Sequence, residues 1–339
     1  MDREIVEKVI EKLGSKLEAS GKLVQFNDAS YKPVELSKNN FNVINESPGN
    51  AKIAFIDGGN NSVLDAASFC LQMVRTYCTV YSGNKREKSG KNEFLLLVSA
   101  GNDIIDADAF GTDIKFSSFN MFDKTLAKGS HRVIISDAAA ACRKLAEIRE
   151  AAEAVEYLEP GDIIVLDRDL KAEITGEKEL LDKLYINAEK KGVIVCGISK
   201  TTRLFTDTGD SAAAAVSAIA PDSEWAYYPV ADIENETHKA EICFVKLHKS
   251  SKYVFRFEIY KKQKSQIGKV LSALRKNSKD PVFIGYPYGL IEADKFARVS
   301  NDEAEYLKVR LISKAGKQSS KIISYMKTVD AHSILDNIA

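Results

Sequence analysis

Three short apolar runs, Ile53–Ile56, Ile163–Leu166 and Val193–Ile198, are separated by stretches of helical character, and each run leads into a charged residue. Runs this short and this apolar suit strands buried on both faces of a sheet, because a strand with one wet face alternates polar and apolar residues. Between the second and third runs lies a helical stretch, Glu177–Lys191. Before the second stands Ser136–Tyr157, rich in Ala, Leu, Glu and Arg, the strongest helix in the chain, which Pro160-Gly161 stops. This alternation of strands and helices specifies an α/β layered domain.

Around that centre the reading is less constrained. Ile5, Val6, Val9, Ile10, Leu13 and Leu17 recur at helical spacing, so residues 2–20 read as an amphipathic helix that packs on the body or on a second subunit. Val63–Val80 also reads as a helix, with Cys70, Met73, Val74 and Tyr77 on one face. Gly83–Asn92 reads as a charged loop whose four basic residues either contact phosphate or are simply solvated. Phe94–Val98 suits a strand, Ala100–Thr112 a loop, and Ile114–Phe119 a weaker strand. Further on, Trp225–Val230 and a hairpin of Glu241–Leu247 with Tyr253–Tyr260 extend the sheet with antiparallel strands. Helices at Ser265–Lys276 and from Asn301 onward complete the chain. The expected division is an N-terminal helical arm over 1–45 and a single elaborated domain over 46–339.

With 339 residues and 45% hydrophobic content, the chain has material for a large core. Lys+Arg and Asp+Glu both number 48, so no global basic field marks a nucleic-acid partner, and any such surface is local. The five cysteines form no C-x-x-C pair, which argues against a zinc site or a disulfide framework. The N-terminus is too charged for a signal peptide and no apolar run is long enough to span a bilayer, so a soluble, cytoplasmic protein without a membrane partner is expected.

Chemistry is expected where the runs end, at Asp57, Asp167 and, after Ser199, Lys200, since functional groups of open α/β sheets collect at the carboxyl ends of strands. A single Asp after a strand is commonly a turn former or helix cap. Two carboxylates and an ammonium in equivalent places suit a metal-bound phosphodiester, and buried carboxylates call for a counter-ion.

The segments around these residues resemble a known family. FIDGGNNS (Phe55–Ser62), VLDRDL (Val165–Leu170), CGISK (Cys196–Lys200) and GYPYGLIEADKFARVS (Gly285–Ser300) resemble, in order, the aspartate-glycine, second aspartate, lysine and tyrosine-proline blocks of NurA nucleases. The resemblance implies an RNase H-like core with a mixed central sheet flanked by helices, elaborated by the N-terminal helix and the antiparallel extension. It implies two manganese or magnesium ions and hydrolysis of DNA, with 5′ to 3′ exonuclease and single-strand endonuclease activity in end resection and double-strand break repair. A homodimer docked on a HerA-type hexameric ATPase follows from it too. Residue by residue, Asp57 and Asp167 would bind metal and Lys200 would contact the scissile phosphate. A glutamate of the preceding helix, best matched by Glu150 with Glu147 and Glu153 as alternatives, would complete the set. Asp294 stands near where the family often has a histidine and is a further ligand or a helix cap; His332 is its rival.

Tyr286 and Tyr288 would line a DNA groove or pack beside Pro287, and Arg168 and Arg203 would reach DNA. Two departures, Gly59 for serine and Arg168 for glycine, leave open a degenerate adaptor that binds DNA and the ATPase without cleaving. A related nuclease acting on RNA is the other alternative.

Overall fold

The computed structural model describes residues 3–14, 21–46 and 51–326. Helix α1 (Arg3–Gly14) precedes three short strands, Val24–Gln25, Tyr31–Pro33 and Phe41–Val43. The body follows as β1 (Lys52–Asp65), β2 (Phe69–Ser82), β3 (Lys85–Ala100), β4 (Ile104–Phe110), α2 (Ile135–Tyr157), β5 (Ile163–Leu166), α3 (Glu177–Lys191) and β6 (Ile194–Ser199). After a short strand Trp225–Tyr227 come β7 (Ala240–Lys246), β8 (Phe255–Tyr260), α4 (Ile267–Asn277), α5 (Tyr288–Ala297) and α6 (Asn301–Lys314).

An 11-stranded sheet runs in the order Phe41–Val43, Trp225–Tyr227, β7, β8, β6, β5, β1, β2, β3, β4, Phe119–Asn120. Strand β5 pairs in parallel with both β6 and β1, and the other pairings are antiparallel. The three apolar runs are therefore neighbours at the centre of a mixed sheet. Alternation along β1 decides which side chain meets which layer. Ile53 and Phe55 join the core with α4 and α5, whereas Ala54 and Ile56 join the core with α2 and α3.

The segment 63–80 corrects the helical reading, for most of it is β2. Its sequence FCLQMVRTYCTVYS carries β-branched and aromatic residues in every turn, and both of its faces are covered: Cys70 and Val74 pack under α2, Tyr77 and Tyr81 under α5. A strand buried on both sides shows apolar residues at helical and strand spacings alike, so periodicity could not separate the two. The charged stretch 83–92 is likewise no loop beyond its Gly83-Asn84 turn; it begins β3, whose exposed residues 85–91 pair only with β2. Residues 104–110, read as loop, are β4, and of Ile114–Phe119 only Phe119 enters a strand.

The N-terminal region also differs from a helical arm. Residues 24–43 contribute strands, and Phe41–Val43 pairs with Trp225–Tyr227 in the main sheet. Helix α1 buries none of its described residues; Ile5, Val9, Ile10 and Leu13 are each more than half exposed, so it does not pack on the body.

Candidate active site

Strand β1 runs on for several residues past the point where β5 ends. The parallel ladder stops at Ile56 opposite Leu166, while the pairing of β1 with β2 continues through Asp57 opposite Tyr77 and beyond. Asp57 thus lies within a strand, not at its end as the apolar run suggested, but it is level with the end of β5. Asp167 follows β5 directly, its amide donating to the Ile56 carbonyl at 3.3 Å, and Lys200 follows β6. A notch opens there, flanked by one continuous strand and two strand ends.

Alternation places Asp57 and Asp167 on the α5 side of the sheet, and α5 supplies Asp294. One carboxylate oxygen from each of Asp57, Asp167 and Asp294 lies within 4.8 Å of the other two. The Lys200 ammonium reaches Asp167 Oδ2 at 2.6 Å and Asp294 Oδ1 at 2.8 Å. Burial alone would lower its pKa, but the two carboxylates outweigh that and raise it, so Lys200 is held protonated. The Tyr286 hydroxyl donates to Asp167 Oδ1 at 2.9 Å.

From the opposite face of the sheet, Glu147 of α2 lines the same cleft. Gly58, which follows Asp57, points toward α2, and a Cβ there would stand 2.6 Å from Glu147 Oε1. The glycine of the aspartate-glycine motif makes room for this carboxylate to reach the notch. Arg143, four residues earlier on α2, pairs with Glu147 and donates to the Gly58 carbonyl at 2.9 Å. Glu150, the best match from sequence, faces elsewhere: it accepts from Thr76 Oγ1 at 2.9 Å and does not line the cleft. Glu153 lies with Arg149 and Glu156 in a different depression between α2 and α3. Spacing alone did not single out Glu147, since Glu153 as well as Glu147 has an arginine four residues earlier, Arg149 and Arg143.

The other expected contacts divide. Arg168 turns inward, donating to the carbonyls of Asp169 and Lys171 and pairing with the fully buried Glu177. It lines the cleft with its guanidinium committed to these partners. Tyr286 is fully buried, with Phe283 stacked 5.3 Å away, so its ring offers no face to a base. Tyr288 is 36% exposed but lines a separate cavity, and Arg203 lies exposed beyond the cleft-lining residues. Asp294 is inside α5, and the following helix is capped by Ser300 instead. His332 falls outside the described residues.

Sequence reasoning missed the support behind Asp167. Buried Glu258 on β8 accepts from the Leu170 amide at 2.8 Å and from Arg256, which also reaches Asp169 at 3.4 Å. Those contacts fix the 167–170 turn.

The electrostatics are those of a site short of positive charge. Burial first, and then the nearby Asp167 and Glu147, push the Asp57 carboxyl up to about 8; burial also raises Glu147 despite Arg143 and Arg168. The ion-free protein is therefore expected to lose stability as pH rises. A carboxyl raised in the folded state stabilises it most below the ordinary carboxylate range, and that contribution is lost as pH climbs through about 8. Denaturant midpoints measured from pH 5 to pH 9 in chelator would show the fall, and a rising profile would contradict it. The donor set is oxygen alone, with three converging carboxylates against one lysine, which fits a hard divalent cation.

A model of the NurA domain matches residues 51–299, which include every residue of the cleft. The chain belongs to the NurA family. The crystal structure of the NurA nuclease from Sulfolobus solfataricus superposes with a TM-score of 0.52 at 14% identity, covering 94% of this chain and 98% of that one. Endonuclease V from Ciona intestinalis, in complex with DNA, is more distant, with a TM-score of 0.40 at 11% identity over 86% of this chain and 96% of the other. No curated protein matches the chain. The mixed sheet with flanking helices is the RNase H-like arrangement expected for a NurA protein. No helix among the described residues is long and apolar enough to cross a membrane, and all five cysteines are buried and free.

Proposed function

We propose that this NurA chain is a divalent-metal-dependent DNA nuclease, acting as a 5′ to 3′ exonuclease and single-strand endonuclease in end resection and break repair in the cytoplasm. The observation that carries the reading is the convergence of Asp57, Asp167 and Asp294 within 4.8 Å beside a charged lysine. Asp57, Asp167, Asp294 and Glu147 would hold the ions, two manganese or magnesium per site in this reading, with Glu147 in the place first matched to Glu150. Ions held there would activate water and stabilise the leaving oxygen of a phosphodiester. Lys200 supplies positive charge for the scissile phosphate, and Tyr286 keeps Asp167 oriented by donating to its second oxygen. Arg143 holds Glu147 against Gly58 and offsets part of its charge.

The departures at Gly59 and Arg168 do not favour an inactive adaptor. A side chain at 59 would meet the Ala297 carbonyl at 2.3 Å, so glycine fits the close approach of α5, and the Arg168 guanidinium, at the cleft wall, is committed to Glu177 and the Lys171 carbonyl. The reading includes a homodimer, supported by the uncovered apolar stripe of α1, and a HerA-type hexameric ATPase as partner. The chain has no glycine-rich phosphate loop of its own to drive processive resection. End-labelled single strands and duplexes, alongside RNA and hybrids, incubated with manganese, magnesium or chelator, test the proposal. Cleavage of DNA that requires the ion is expected; RNA cleavage alone, or no cleavage with either ion, would overturn it.

A further inference from the structure

A second cavity, of about 270 Å³, lies at the other end of α5 from Asp294. Tyr81, Asn84, Lys276, Lys279, Asp280 and Tyr288 line it. Tyr288 opens the helix and keeps 36% of its surface exposed, although its neighbours Tyr286 and Leu290 are fully buried. Tyr81 stands edge-on to its ring at 6.1 Å and 80°, fixing the ring's plane. Lys279 is exposed and Lys276 half-buried on the rim, and Asp280 Oδ1 accepts from the Val282 amide at 2.9 Å. Arg86 pairs in register with Tyr81 and lies between Lys85 and Lys88 on the exposed start of β3.

We infer that this cavity seats one nucleotide of a single-stranded nucleic acid, its base on the Tyr288 ring and its phosphates on Lys276 and Lys279. An aromatic face with cations at its rim is how single strands are held without sequence readout, and a paired base has no free face to offer. Tyr288 and Asp294 are six residues apart on one helix, about 9 Å along its axis. That is two to three nucleotide steps at the ~3.4 Å rise of stacked DNA. A strand entering the carboxylate cleft would carry a nearby nucleotide across this seat, so the inference rests on the nuclease reading for its purpose but not for its detection.

Binding is best measured in an Asp57→Asn background by the anisotropy of a fluorescent oligothymidylate, with blunt duplex and the ribo-oligomer as parallel probes. Tyr288→Ala is expected to weaken single-strand binding about 5- to 150-fold while leaving blunt duplex unaffected. Tyr288→Trp, which keeps an aromatic face, is expected to bind as the parent does. Lys279→Ala should lower the slope of log affinity against log salt by about 0.7. Unchanged single-strand binding in Tyr288→Ala, equal loss on blunt duplex, or equal loss in Tyr288→Trp would each overturn the subsite. Since this readout needs no cleavage, a wild-type protein that cleaves nothing would remove the nuclease reading and leave the subsite standing.

Discussion

Replacing Asp57 by Asn is expected to abolish cleavage and to leave the fold in place. The Asp57 carboxyl is pushed up to about 8 in a site where three acids converge and one lysine answers them. Its amide analogue keeps size and hydrogen bonding but removes the charge that a divalent ion needs. A bound ion contributes several kcal/mol of charge stabilisation to such a reaction, so the loss in rate is on the order of 10³-fold or more. The same change relieves repulsion with Asp167 and Glu147, so the thermal midpoint in chelator is expected to hold or rise. Full manganese-dependent activity in this variant would show that the carboxylate cleft is not where cleavage happens.

The second large effect separates two glutamates one helical turn apart. Glu147→Gln is expected to reduce cleavage by roughly 10²-fold or more, the range seen when a group aimed at the reacting centre is removed. Glu150→Gln is expected to stay close to wild type, because that side chain meets Thr76 and an amide can still accept its hydrogen bond. Assaying both over a manganese titration distinguishes a ligand from a structural residue, since only loss of a ligand moves the ion concentration needed for half-maximal rate. The opposite ranking would return the role to Glu150.

That pair also marks where the sequence stopped being legible. The apolar runs located the centre of the sheet, and the charged residues that follow them converge in space as Asp57, Asp167 and Lys200 do. Which glutamate of α2 turns inward depends on the rotation of a helix whose long stretch of alanine gives little amphipathic contrast, so a resemblance could name the helix but not its facing side. The Arg143–Glu147 spacing and the glycine after Asp57 become informative only once the two elements are known to touch. Strand β2 was misread because a surface covered on both sides erases the period that tells strand from helix. Glu258 and Arg256 went unseen for a different reason: they belong to an antiparallel extension distant in the chain, and only the pairing of β8 with β6 brings them behind the Asp167 turn.

Helix α5 is pinned against β1 at two glycines. A Cβ on Gly289 would fall 2.0 Å from the Phe55 ring, and one on Gly59 would fall 2.3 Å from the Ala297 carbonyl. One glycine sits on the helix and the other on the strand, so the two surfaces interlock like a pair of offset notches and admit a single register. A slip of one turn would carry Asp294 about 5.4 Å along the axis, beyond the reach of Lys200. The position of the third carboxylate is thus set by the absence of side chains elsewhere, and the same two contacts that align the acid also fix Tyr288 at the far end of the helix.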